Sequence, residues 1–222
     1  MLAGSAVSNT GATIVRGDLG VSPGTSITGF PPGNVIGRQH VADAFALQAQ
    51  KDVTAAYVDA AGQACDSSLT GQDLGGKTLT SGVYCFSSSA QLTGQLTLDS
   101  QGKNGSVFIF QIGSTLTTAS NSSVLLINGT NACHVFWEVG SSATVGTTSN
   151  FSGNILALAS ITALTGAHFN GSLYARTGAV TLDSNTVARS LCGTSPTTPT
   201  AVPSTTPTAV PSTTPTAVPS TT

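Results

Sequence analysis

Val135-Phe136-Trp137, then a turn, then Ser141-Ser142-Ala143-Thr144: a wholly apolar run followed by a segment of the form x-x-apolar-Thr decides the fold, because the pair recurs. The apolar runs are Val83-Tyr84-Cys85-Phe86, Val107-Phe108-Ile109-Phe110, Val135-Phe136-Trp137, Ile155-Leu156-Ala157 and Leu173-Tyr174-Ala175. The segments after them are Ala90-Gln91-Leu92-Thr93, Ser114-Thr115-Leu116-Thr117, Ser141-Ser142-Ala143-Thr144, Ala159-Ser160-Ile161-Thr162 and Gly178-Ala179-Val180-Thr181. Their threonines (93, 117, 144, 162, 181) lie 24, 27, 18 and 19 positions apart. Ser5-Ala6-Val7-Ser8 and Thr25-Ser26-Ile27-Thr28 carry the same form upstream, and Leu96-Thr97-Leu98 and Val124-Leu125-Leu126-Ile127 suggest a third strand per repeat. A repeat of this length with two or three short strands is a β-solenoid rung, each rung closing its hydrogen bonds with the next.

Side-chain alternation sends Leu92, Leu116, Ala143, Ile161 and Val180 inward and the threonines after them outward in one stacked column. The first strand of each rung is apolar on both faces and needs a cover. His40–Ala64 supplies one: it is free of proline, and Val41, Phe45, Ala49, Val53, Ala56 and Ala60 fall at steps of three or four. The expected fold is mostly β: a three-sided solenoid with one long helix, about residues 40–64, packed alongside. Trp137 and Tyr84 are expected in its core.

Composition narrows the function. Charged residues make up 7% of the 222, with net charge −2, too little clustered Lys and Arg to neutralise nucleic-acid phosphates. No apolar run is long enough to insert through a bilayer. From Ala201 the octapeptide AVPSTTPT repeats. Residues 194–222 therefore read as an extended, disordered Pro/Thr/Ser linker after a folded domain of residues 1–193, able to join it to a cell surface or a further domain. Four cysteines without metal-ligand spacing point to two disulfides and an oxidising, secreted or surface location, although no signal peptide is visible. Three pairings are possible; Cys65–Cys85, tying the helix end to the first rung, with Cys133–Cys192, is favoured.

The outward column suggests what the fold displays. Rungs stack ~4.8 Å apart and alternate residues on a strand lie ~6.7 Å apart. Hydroxyls and methyls on such a grid approach the oxygen repeat of ice, with methyls ordering water between ranks and hydroxyls anchoring it. No charged residue falls in the five segments to disturb that order.

The chain also resembles the DUF3494 family of bacterial and fungal ice-binding proteins. The resemblance is carried by Gly17-Asp18-Leu19-Gly20-Val21-Ser22-Pro23-Gly24, Gly29-Phe30-Pro31-Pro32-Gly33, Leu79-Thr80-Ser81-Gly82-Val83-Tyr84 and Phe108-Ile109-Phe110-Gln111-Ile112-Gly113, and continues through Val135-Phe136-Trp137-Glu138-Val139-Gly140, Gly153-Asn154-Ile155-Leu156-Ala157 and Gly178-Ala179-Val180-Thr181-Leu182. In that order the blocks cover nearly all of residues 4–190. The resemblance implies a right-handed, discontinuous β-helix with a long helix alongside. It also implies adsorption to ice, with thermal hysteresis and inhibition of recrystallisation. A T-[AG]-x-[TN] motif of some members occurs as Thr10-Gly11-Ala12-Thr13, Thr118-Ala119-Ser120-Asn121 and Thr162-Ala163-Leu164-Thr165; only the last coincides with the column. The capping subdomain of some members has little room between Gly62 and Lys77.

The expected ice-contact residues are Thr28, Thr93, Thr115, Thr117, Ser142, Thr144, Ser160, Thr162 and Thr181, with Thr147 and Thr165 at the edge. The expected partner is the ice surface and the expected state a monomer. No cofactor, metal or catalytic residue is expected: the acids form no Asp-x-Asp pair, and His40, His134 and His168 lack ligand spacing. Five N-x-[ST] sequons, at Asn104, Asn121, Asn128, Asn150 and Asn170, matter where the source glycosylates. The competing reading is a cell-surface adhesion or saccharide-binding solenoid, which would need exposed aromatic side chains.

Overall fold

The computed structural model describes residues 1–190 and Cys192; the expected linker, 194–222, lies outside them. Three all-parallel sheets of nine, seven and eight strands form the sides of a solenoid. The strand order shows a discontinuity that a linear reading of the repeats does not. Leu2–Ala3 pairs with Leu173–Ala175 on one side and Leu19–Val21 on the other, so the N-terminal rungs stack beyond the C-terminal one. The helix then carries the chain back along the solenoid to Ser67–Ser68 at the opposite end.

Inward positions fill one continuous core. Tyr84 and Phe110, Phe110 and Trp137, and Trp137 and Phe151 stand with ring centroids 5.5, 3.9 and 5.0 Å apart, so the aromatics run from rung to rung. Trp137 Nε1 donates to the Ser152 carbonyl, satisfying the one polar atom such a ring buries. Gly153, at φ 114°, turns the chain beside this indole; a Cβ there would lie 2.6 Å from Trp137 Nε1.

Helix α1 spans Ala44–Gly62. It starts four residues later than the periodicity suggests, because Gln39–Val41 pairs as a strand with Leu19–Val21. Asp43 caps the start, accepting from the Ala46 N–H at 2.8 Å while its other oxygen meets His40 Nδ1 at 2.7 Å. The buried side is Ala46, Gln50, Val53 and Ala60. This corrects the expected stripe: Val53 and Ala60 belong to it, Ala49 is half-buried against it, and Val41, Phe45 and Ala56 are exposed. Small alanines bring the helix close to the sheet, where Leu2, Leu156, Phe136 and Tyr174 supply the apolar surface. At the far end Gln111 Nε2 donates to the carbonyls of Ala60 and Gln63, each at 2.8 Å, occupying acceptors that a helix terminus leaves open. The outer side of the nine-stranded sheet is thus covered, as its doubly apolar strands require.

The disulfides are Cys65–Cys85 and Cys133–Cys192, the favoured pairing. The first links the segment after α1 to strand Gly82–Phe86.

Candidate functional site

Among the described residues, no helix lies over the seven-stranded sheet. Its inward line is Ala90, Leu116, Ala143, Ile161, Val180, Val7 and Ile27 in strict register. One residue further along every strand lies the outward line: Gln91, Thr117, Thr144, Thr162, Thr181, Ser8 and Thr28. Seven strands span ~29 Å at the ordinary strand spacing. Six of the seven outward residues bear a hydroxyl, and none is charged.

Among the described residues, the hydroxyls of Thr117, Thr144, Thr162 and Thr28 take no part in the hydrogen bonds within the chain, whereas Ser8 Oγ reaches Thr181 Oγ1 at 3.4 Å. The first four keep their full donor and acceptor capacity on the outward side. Thr118, next to Thr117, is buried, and its Oγ1 accepts the Gly146 N–H at 2.9 Å. Alternation therefore selects Thr117 for the surface and Thr118 for the interior. The motif copy Thr10-Gly11-Ala12-Thr13 divides the same way: Thr10 is exposed and Thr13 is fully buried.

Not every expected residue joins the line. Leu92 pairs with Thr118, so Thr93 falls beyond the strand, and its N–H is held by Asp73 Oδ1 at 2.9 Å. Gln91 takes the place expected of Thr93. Thr115 lies one rank to the side and shares a 2.8 Å hydrogen bond with Ser89. Ser142 and Ser160 continue that rank but direct their Oγ atoms to the next rung, accepting from the Ser160 and Ala179 N–H groups at 3.3 and 3.2 Å. Thr147 and Thr165 sit at the corner toward the third sheet. The Thr165 hydroxyl donates to Asp183 Oδ2 at 2.5 Å, and the Thr147 carbonyl accepts from the Asn121 N–H. Ser8 was missing from the expected set, although Ser5-Ala6-Val7-Ser8 has the right form.

The third sheet offers a contrast. Its outward lines read Asn34, Ile14, Thr186, His168, Asn150 and Ile36, Arg16, Ala188, Asn170, Ser152. Mixed sizes and a charge make this face irregular. Only the seven-stranded sheet repeats one chemistry on a fixed spacing.

Elsewhere the acids serve the backbone. Asp18, Asp66, Asp73 and Asp99 accept N–H groups of Arg38, Val83, Gly75 and Gln101 at 2.6–2.8 Å. Under the helix, burial pushes the Glu138 carboxyl above the usual glutamate range, opposed by the neighbouring Tyr57 hydroxyl and by Arg176. Arg176 in turn lies 4.4 Å over the Tyr57 ring. This group locks helix to sheet and does not reach the open face. No cluster of metal-ligating side chains occurs among the described residues, and no helix in them is long and apolar enough to cross a membrane.

An ice-binding-like family model matches residues 1–188. The ice-binding protein of Nostoc sp. (strain HG1) is 53% identical over 204 residues, covering 91% of this chain and 75% of that protein. Ice-binding protein 1 of Shewanella frigidimarina is 36% identical over 226 residues, covering 85% of this chain but only 25% of that protein, so the present chain corresponds to a quarter of it. Among solved structures, the ice-binding protein of the Antarctic ascomycete Antarctomyces psychrotrophicus superimposes with a TM-score of 0.83 at 46% identity, covering 86% of this chain and 93% of that one.

Proposed function

Because the chain belongs to the ice-binding-like family, we propose that it adsorbs to ice through the Thr117–Thr144–Thr162–Thr181–Ser8–Thr28 line, producing thermal hysteresis and inhibiting recrystallisation. The observation that carries this reading is the unbroken register of that line. Threonine methyls hold the water between rungs in cages, and free hydroxyls anchor those cages to the protein. The ordered layer then continues into the crystal. A front pinned between adsorbed molecules must curve, and curvature lowers its freezing point. A rigid sheet closed by backbone hydrogen bonds loses little conformational entropy on adsorption.

The rank of Thr115, Ser142 and Ser160 borders the line, with its hydroxyls engaged in hydrogen bonds inside the chain. Thr93 and Thr165 stand outside it. The reading is non-enzymatic: Asp18, Asp43, Asp66, Asp73 and Asp99 are engaged with backbone N–H groups, and Glu138 is buried under the helix. Asp52, Asp59 and Asp183 bond to neighbouring amide or hydroxyl side chains. It places the protein outside the cell as a monomer, with residues 194–222 as a spacer; the two disulfides suit that compartment.

The test is nanolitre osmometry on the purified chain. A gap between melting and freezing, with faceted crystals, is expected. Round crystals and no gap would overturn the reading.

A further inference from the structure

At the corner between the nine-stranded and third sheets, where α1 begins and away from the hydroxyl line, the surface opens into a cavity of about 330 Å³. That is the lower end of ordinary small-ligand sites and room for one sugar ring. Val187 and Tyr174 contribute apolar wall, while Arg16, Arg189 and Asp18 stand at its edge.

The fold brings the two arginines together. Arg16 follows inward-pointing Val15 and so points out; its register partner is Ala188, the residue before Arg189. Among the described residues, the only close pairing of a cation with a carboxylate is His40–Asp43, so neither guanidinium forms an ion pair. These are two of only seven Lys and Arg residues in the sequence. Asp18 uses Oδ1 for the Arg38 N–H and keeps its other oxygen free. Phe45, also lining the cavity, is 71% exposed, with the His40 ring 5.2 Å away holding it in place. Burial of an apolar side chain ordinarily drives α1 docking, yet this phenylalanine stays outside it.

Two neighbouring guanidiniums outside any ion pair, an acceptor carboxylate and an exposed aromatic ring together suit an anionic sugar. We propose that this cavity binds a uronate unit of an acidic polysaccharide: Arg16 and Arg189 take the carboxylate, Asp18 accepts a ring hydroxyl, and the sugar's C–H face packs on Phe45. A simple organic acid would not need the exposed ring or the acceptor carboxylate. The site is independent of the hydroxyl line and would let the protein hold a hydrated matrix while its other face remains free.

The experiment titrates the full chain with alginate oligosaccharides, with dextran oligosaccharides as the neutral probe and polyaspartate of matched charge as the non-sugar anion. Alginate alone should bind. Arg16→Gln and Arg189→Gln should each weaken binding about fivefold to tenfold, in the range of one lost charge-assisted contact, and Phe45→Ala by about as much through loss of the ring's apolar contact. Arg38→Gln, which removes the same charge outside the cavity, should change it less than about twofold by the same scale. Arg16→Lys, which keeps the charge but not the fork, should also weaken binding and serves if the glutamine variant fails to fold. No alginate binding would overturn the proposal. So would equal binding of polyaspartate, or an equal loss in Arg38→Gln, since either reduces the site to diffuse charge.

Discussion

Thr144 and Thr162 are register partners on adjacent strands, and neither hydroxyl is used within the described fold. Thr117 and Thr181 continue the line on either side. Distance between these side chains is therefore set by backbone hydrogen bonding, the least adjustable spacing a protein has. Any property of the face that depends on periodicity is inherited from the ladder.

The register distinguishes Gln91 from Thr93 at one end of the line. Thr93→Tyr should leave thermal hysteresis within about a fifth of the parent, whereas Gln91→Thr should preserve or raise it by extending the hydroxyl line one rung. A large loss in Thr93→Tyr, measured beside an unchanged melting temperature, would mean that the contact surface reaches past the strand.

Ser160 bonds to the next rung and is not itself placed in the line. Ser160→Ala removes the acceptor of the Ala179 N–H and should cost about 1 kcal/mol by chemical denaturation, the usual worth of such a bond. Hysteresis at low temperature should persist. Full stability in the variant would show that the 3.2 Å contact contributes nothing.

Gln111 closes the helix end with one amide. Gln111→Ala leaves the Ala60 and Gln63 carbonyls without that donor and should destabilise the chain by about 1–3 kcal/mol. Hydrogen exchange should speed first in the last turn of α1. Uniform acceleration across all rungs would contradict a local cap.

Glu138 gives a pH dependence of defined sign. Its folded pKa is raised, chiefly by burial, so the folded chain holds the proton more tightly than the unfolded chain. Its contribution is present below the ordinary glutamate range and lost as pH rises through the folded value. Glu138→Gln removes this titration. The melting temperature of the variant relative to the parent should therefore increase from pH 4 to pH 7; a flat or falling difference would show that burial does not raise the affinity of this carboxyl for its proton.

Period-2 alternation made most of this architecture readable in advance. It separated Thr117 from buried Thr118 and placed Thr144, Thr162, Thr181 and Thr28 on one line, and doubly apolar strands correctly announced a covering helix. Alternation alone cannot choose between Ala90 and Leu92 as the inward anchor, because both point inward. That ambiguity displaced the first rung by two residues, to Thr93. The interleaving of Leu2–Ala3 between Leu173–Ala175 and Leu19–Val21 is a long-range pairing with no local signal. Helix phase misled for a similar reason: Phe45 looks like a core residue by hydrophobicity, but Ala46 meets the sheet because a close-packed helix favours a small side chain there, and Gln50 meets it because its amide donates to the Ala175 carbonyl. The hydroxyls of Ser142 and Ser160 were indistinguishable from surface groups until their acceptor roles were seen.

The central claim is that one face of three meets ice. It is tested most directly by measuring thermal hysteresis of Thr144→Tyr/Thr162→Tyr against Asn150→Tyr/Asn170→Tyr, which places the same bulk on exposed positions of the third sheet. With both variants folded, the first should lose most of its activity, and the second should keep that of the parent. Equal activity in the two, or loss confined to the second, would contradict the assignment.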